Sequence, residues 1–116
     1  MNNWKIELAG KKQDLKGAIL IVGLPGIGNV GKIVSDFLVD ELKSKKVCEF
    51  FSYNMPHSVF VKENNLVAMP RIELYFKQVD KSKFLILTGD SQPTDEIGCY
   101  SLCDTVLDFF QENNWP

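Results

Sequence analysis

Residues 18–43, AILIVGLPGIGNVGKIVSDFLVDELK, change their periodicity twice. Ala18 to Val22 form an unbroken apolar run, the pattern of a strand buried on both faces. Gly23 to Gly31 then hold four glycines and a proline in nine residues. Beyond them Val30, Ile33, Val34, Phe37, Leu38 and Leu42 recur at i, i+3, i+4, i+7, i+8 and i+12, one stripe of an amphipathic helix. Asn29 can cap that helix, and Lys43, Lys45 and Lys46 suit its negative C-terminal end. The stretch is strand, glycine loop and helix, the opening of an α/β unit with a place for a ligand or a partner at the loop.

Working outward, 116 residues suffice for one domain with a real core, so a single α/β domain over 1–116 is expected. Hydrophobic residues make up 45% and charged residues 24%, ordinary for a soluble globular protein. A net charge of −2 argues against a nucleic-acid binder, which needs a basic face. No run reaches membrane-spanning length, and MNNWKIELAGKK lacks the apolar core of a signal peptide. Cys48, Cys99 and Cys103 are too few for a disulfide scaffold and fit reduced thiols, so a cytoplasmic location is expected.

Upstream, Trp4, Ile6 and Leu8 alternate with Lys5 and Glu7, a short strand at a sheet edge or in a hairpin. Downstream, Lys46 to Tyr53 is an aromatic-rich strand, and Pro56 forces a bend. Ser58–Val61 and Leu66–Met69 flank KENN, a hairpin signal. Arg71 to Lys77 alternates, with Ile72, Leu74 and Phe76 on one face, and Lys83 to Thr88 is a second fully buried strand closed by Gly89-Asp90. A helix from about Thr94 to Glu112 follows, capped by Thr94, with Cys99, Cys103, Val106, Leu107 and Phe110 as its buried stripe. Two buried strands, each followed by a loop and a helix, predict a three-layer α/β sandwich with a largely parallel sheet and an inserted β-hairpin. The loops at 23–29 and 89–94 then share the carboxyl edge of the sheet, where open α/β sheets place their sites.

Gly26-Ile27-Gly28-Asn29-Val30-Gly31 matches G-x-G-x-x-G, the turn that lets a dinucleotide pyrophosphate approach the backbone. Two details oppose that reading. Gly23, Leu24 and Pro25 separate strand from first glycine, and Glu49 lies inside the second strand instead of at its end. Gly26 to Lys32 nearly forms a P-loop, but Ile33 stands where a hydroxyl must ligate Mg²⁺. The loop can still be an amide nest that holds an anion, and a small nucleotide- or phosphate-binding enzyme domain using Gly23–Lys32 is the alternative function. The plainer reading is that these glycines let the helix pack closely on the sheet.

Asp90 is the carboxylate at the presumed cleft edge, without a convincing acid–base partner, and a turn role is preferred. Cys99 and Cys103, four apart, could offer two metal ligands, but no further pair completes a zinc site, and core packing is preferred. His57, the single histidine, lacks an obvious Ser or Cys partner for triad chemistry. No catalytic residue, metal ligand or cofactor is therefore assigned.

GLPGIGNVGK at 23–32, VFVKENNLVAMPRIELYF at 59–76, and LILTGDSQP at 85–93 followed by a helix with Gly98 and Tyr100 resemble the proteasome assembly chaperone family, its archaeal members above all. The resemblance runs through most of the chain in the same order and spacing. It implies a fold like the nucleoside phosphorylase and hydrolase group. It also implies a non-enzymatic, oligomeric protein that binds the 20S proteasome through its α-subunits. The family's recurrent loop residues fall on Gly23, Pro25, Gly26, Gly28, Asn29 and Gly31, and on Gly89, Asp90, Gln92 and Pro93. Members labelled ATP-grasp-like suggest a nucleotide, but the lysine and carboxylate set of that fold is not seen here. Family domains are longer, so the chain corresponds to their N-terminal half. Asn114-Trp115-Pro116 does not match the C-terminal tail with which several members dock on the α-ring. An exposed sheet edge is the expected consequence, covered by another copy or by a complementing second polypeptide.

Overall fold

A computed structural model of the chain describes residues 4–10, 14–25, 30–52, 60–61, 67–68, 71–89, 96–113 and 115. Its elements run β1 (Trp4–Leu8), β2 (Ile19–Gly23), α1 (Val30–Leu42), β3 (Lys45–Ser52), β4 (Phe60–Val61), β5 (Val67–Ala68), β6 (Ile72–Val79), β7 (Ser82–Gly89) and α2 (Glu96–Glu112). Five strands form one sheet in the order β1-β3-β6-β7-β2. The expected hairpin is present as the separate antiparallel pair β4–β5, with Phe60 opposite Ala68 and Val61 opposite Val67.

The sheet is mostly antiparallel, which corrects the expectation of a largely parallel one. Only β2–β7 pairs in parallel, while β1–β3, β3–β6 and β6–β7 are antiparallel. The cause lies in the β6–β7 turn. Val79 pairs with Ser82, so only Asp80 and Lys81 join the strands, and so short a link reverses the chain. Asp80 takes the left-handed φ of 54° there, which Asp tolerates. β2, β3 and β7 do point the same way, and α1 is a crossover between β2 and β3. Strand β6 slots between β3 and β7 and makes its neighbours antiparallel.

The helices lie on opposite faces. Thr88 of β7 touches α1, whereas Phe50 of β3, two strands away and in register with Ile72 and Gly89, meets Phe109 of α2 edge-to-face at 6.1 Å. The α2 face is the apolar core, built from Phe50, Ile72, Leu74, Leu85 and Leu87 under Leu102, Val106, Phe109 and Phe110. Trp115 closes it. Its ring centroid is 5.3 Å from that of Phe110, and its indole N–H donates to the Ala18 carbonyl at 2.9 Å. α1 ends in a Schellman arrangement, with Lys43 at φ 51°, Lys43 N–H on the Asp40 carbonyl and Ser44 N–H on that of Val39.

Three burial expectations are corrected. β2 is an edge strand, not one buried on both faces: Ile19 and Val22 are 54% and 55% exposed. On α1, Ser35 is the buried residue, while Val30, Ile33, Val34 and Phe37 are 50–65% exposed. Ser35 faces the sheet because a tight strand–helix approach admits only a small side chain there. On α2, Val106 and Phe110 are buried as expected, but Cys103 and Leu107 are exposed and Cys99 is half-buried; Leu102 and Phe109 take their places.

Candidate functional site

The parallel register sets Gly23 beside Thr88, so the ends of β2 and β7 share one edge of the sheet, as expected. Of the residues singled out there, Gly23, Pro25, Gly31 and Gly89 are placed. Gly26, Gly28, Asn29, Asp90, Gln92 and Pro93 lie outside the described residues, as do His57 and the proposed Thr94 cap.

Gly23 is a packing residue. A Cβ on it would stand 2.3 Å from the Gly31 carbonyl oxygen and 2.5 Å from the Ser35 Cβ, so only glycine permits α1 to sit this close. Gly31 is less constrained, since its Cβ would meet the Leu24 carbonyl oxygen at 3.4 Å. Gly89 is crowded by Ile72 Cγ1 at 3.0 Å and the Arg71 carbonyl oxygen at 3.2 Å. The Ser35 hydroxyl stands 2.9 Å from the Gly23 carbonyl oxygen, 3.0 Å from that of Lys32 and 2.9 Å from Thr88 Oγ1. The Thr88 hydroxyl donates to Asp36 Oδ1 at 2.9 Å. Strand end and helix start are therefore stitched by a Ser–Thr–Asp relay, with Ser35 and Thr88 buried and Asp36 half exposed, that the periodicity of α1 concealed.

Beside this relay lies a polar pocket of about 240 Å³, bordered by Lys32, Asp36, Asp40, Glu73, Tyr75 and Thr88. Lys32, the P-loop-like lysine, is held by Asp36 at 2.9 Å. Asp36 and Asp40 face Lys32 there, and Glu73 is already paired with Lys46, so the pocket has no unpaired cation among its described lining residues to attract a polyphosphate. Across the sheet, on the same face, runs an ion-pair ladder. Glu7, Glu49 and Glu73 stand directly opposite one another on β1, β3 and β6. Three aligned carboxylates repel, and two cations separate them. Lys46 Nζ lies 2.6 Å from Glu49 and 2.8 Å from Glu73, and Arg71 bridges Glu7 at 2.5 Å and Glu49 at 2.6 Å. Arg71 also lies over the Phe51 ring, 5.5 Å from its centroid. The Tyr75 hydroxyl donates to Glu73 at 2.9 Å.

The ladder shapes the ionisation of its members. Burial disfavours the Glu49 charge, but hydrogen bonds from Lys46 and Arg71 outweigh it and hold the carboxyl below the usual range. Burial likewise works against the Lys46 charge, and Glu49 and Glu73 overcome it, raising that pKa. Burial and the Glu73 carboxylate push the Tyr75 phenol up. Cys48, fully buried on β3, has its thiol pushed up to about 12 by burial and then by Glu49, so it is protonated and inert. Among the described residues, no three His, Cys, Asp or Glu side chains gather where they could hold a metal. No helix of the described residues is long and apolar enough to cross a membrane. The ladder escaped the sequence reading, although Glu7, Glu49 and Glu73 each interrupt a strand pattern at an alternate position, a signal of a shared wet face.

Fold and site together define a mixed α/β domain in which Gly23 serves close packing of α1 and the sheet face on the α1 side is ion-paired. The chain belongs to the PAC2 family, the proteasome assembly chaperones, whose sequence pattern matches residues 20–115. It is similar to the crystal structure of Pyrococcus furiosus PbaB, an archaeal proteasome activator, with 35% identity and a TM-score of 0.88 over 99% of this chain and 49% of that one. Pyrococcus furiosus PbaA, an archaeal homolog of proteasome-assembly chaperone, shares the fold at a TM-score of 0.66 and 21% identity, over 97% of this chain and 45% of that one. The uncharacterized protein MJ1210 of Methanocaldococcus jannaschii is 36% identical over 95 residues, which is 82% of this chain and 36% of that protein. The chain thus spans about half the length of PbaB.

Proposed function

We propose that the chain is a non-enzymatic proteasome-binding protein that engages the α-subunits of the 20S particle through its surface. The observation that carries this is the match to PbaB, 35% identical and superposable over 99% of the chain at a TM-score of 0.88. The chemistry of the site agrees with it. Ser35, Thr88 and Asp36 are committed to holding α1 on the sheet, Lys32 is paired, and the Cys48 thiol is protonated. What the surface offers instead is apolar area on both helices, including Ile33 and Phe37 on α1 and Ile97 and Tyr100 on α2, which suits protein contact. An oligomeric state like that implied by the family resemblance, and a fold like that of the nucleoside phosphorylase and hydrolase group, belong to the same reading.

The test is size-exclusion chromatography of the chain mixed with purified archaeal proteasome α-rings. Co-elution that survives 0.5 M salt, where the Debye length is only about 4 Å, marks apolar docking. Failure to co-elute at any salt concentration, with intact α-rings, overturns the proposal.

A further inference from the structure

Cys99 and Cys103 stand on α2 as an outward-facing pair. Cysteine is among the residue types most often fully buried, and Cys48 obeys that rule in β3. The two cysteines of α2 break it. Cys103 is exposed, Cys99 is half-buried, and both are free thiols. The packing expected of them is carried by Leu102 and Phe109, which lie in the core cluster. Two thiols on the open side of one helix therefore have a chemistry that the core does not use.

Their spacing says which chemistry. Four residues apart on a helix, the two side chains lie one above the other, with Cβ atoms about 5–6 Å apart. A disulfide needs about 3.5–4.5 Å between those atoms, so the intact helix keeps the two thiols from joining. One ion bonded to both sulfurs at about 2.3 Å each spans up to ~4.6 Å between them. The two Sγ atoms reach that separation by leaning toward each other along the helix. A spacing too wide for a sulfur–sulfur bond thus suits a single atom placed between the sulfurs.

The number and softness of the donors choose the ion. Among the described residues, no third His, Cys, Asp or Glu joins the pair to make a metal-holding cluster. Structural zinc takes four ligands, and calcium and magnesium take oxygen. Two thiolates alone suit a soft ion that accepts two ligands in line, and of the metals that thiolate selects, copper(I) is that ion. We propose that Cys99 and Cys103 form a surface site for copper(I). As each sulfur–copper bond forms, its thiol gives up a proton to solvent. Two S–H bonds are exchanged for two S–Cu bonds, and the copper stays in the +1 state throughout. Proteasome binding does not bear on the site.

The test titrates the full, reduced chain with copper(I) in the absence of oxygen, in competition with the chromogenic copper(I) chelator bicinchoninate. The expected result is one copper withdrawn per chain, with two sulfur neighbours in X-ray absorption at the copper edge. Cys99→Ser and Cys103→Ser should each weaken binding about a hundredfold or more, beyond what loss of a group that merely supports a ligand costs. Cys48 is intact in both. A further variant keeps two thiols on α2 and breaks their spacing. Cys103→Ser combined with Asp104→Cys, both at exposed positions, sets the second thiol about 140° round the helix from the first. It should lose the copper as well, while its circular dichroism matches that of the parent chain. Copper left on the chelator by the parent overturns the inference, as does tight binding by either single variant or by the displaced pair. So does one copper shared between two chains, seen as a dimer by light scattering, because the two sulfurs would then come from different copies.

Discussion

Glu49 and Glu73 stand directly opposite each other on β3 and β6, and both carboxylates close on the Lys46 ammonium, at 2.6 and 2.8 Å. Like charges in register destabilise a sheet, so the pairing of these two strands depends on the cation between them. Arg71 does the same between Glu49 and Glu7. The ladder therefore acts as a device of register: a slip of β3 by one residue would move its Glu49 carboxylate to the apolar α2 face.

Lys46→Met should cost about 1–3 kcal/mol at neutral pH, the range for leaving a partly buried charged partner unsatisfied. Its signature is in the pH dependence. The folded-state pKa of Glu49 lies below its unfolded value. Its contribution is therefore present above the unfolded value of about 4.3 and is lost as pH falls through the folded value. Urea midpoints measured between pH 7 and pH 3 should fall for the parent chain and fall less steeply for Lys46→Met. Parallel curves would show that Lys46 does not govern the ionisation of Glu49.

The glycine loop makes a sharper prediction. At Gly23 a methyl group would meet the Gly31 carbonyl oxygen at 2.3 Å, backbone that cannot step aside without lifting α1. Gly23→Ala should therefore destabilise by about 1–3 kcal/mol or more. Gly31→Ala meets its nearest neighbour at 3.4 Å and gains helix propensity, so it should be neutral or stabilising by up to about 1 kcal/mol. Thermal or urea unfolding of the two variants separates them. Equal losses would mean that α1 does not rest on Gly23.

Cysteine reactivity reports the core directly. Cys48 is fully buried with its thiol pushed up to about 12, whereas Cys103 is exposed and Cys99 half-buried. Iodoacetamide at pH 8 should alkylate Cys103 first and Cys99 next, and leave Cys48 unmodified until denaturant is added, as peptide mass spectrometry would show. Early labelling of Cys48 would mean that β3 opens far more readily than its packing against Phe109 implies.

Much of this was legible from residue order. The glycine-rich turn between an apolar strand and a helix, the alternation of Trp4, Ile6 and Leu8, the hairpin arms around KENN and the break at Gly89 are local signals, because backbone conformation answers to near neighbours. Family resemblance was legible for the same reason, since its motifs are contiguous stretches such as 23–32 and 85–93. The sheet order was not. Ile72, Leu74 and Phe76 announce a strand, but nothing in them says that it lies between β3 and β7, and that position turns three of four strand pairs antiparallel.

What the sequence by itself determined, then, is which segments are strands and helices and that a glycine-rich stretch separates β2 from α1. Burial and partnership were decided only by the tertiary structure. An apolar run such as Ala18 to Val22 is equally compatible with a central strand and with an edge awaiting a neighbour, and here it is the edge. The stripe on α1 specifies a helix without specifying which side meets the sheet, and the close approach at Gly23 selects Ser35 for that side, leaving Val34 and Phe37 outward. Hydrophobicity records the need for a covering surface, and only the fold shows whether that surface is already in place.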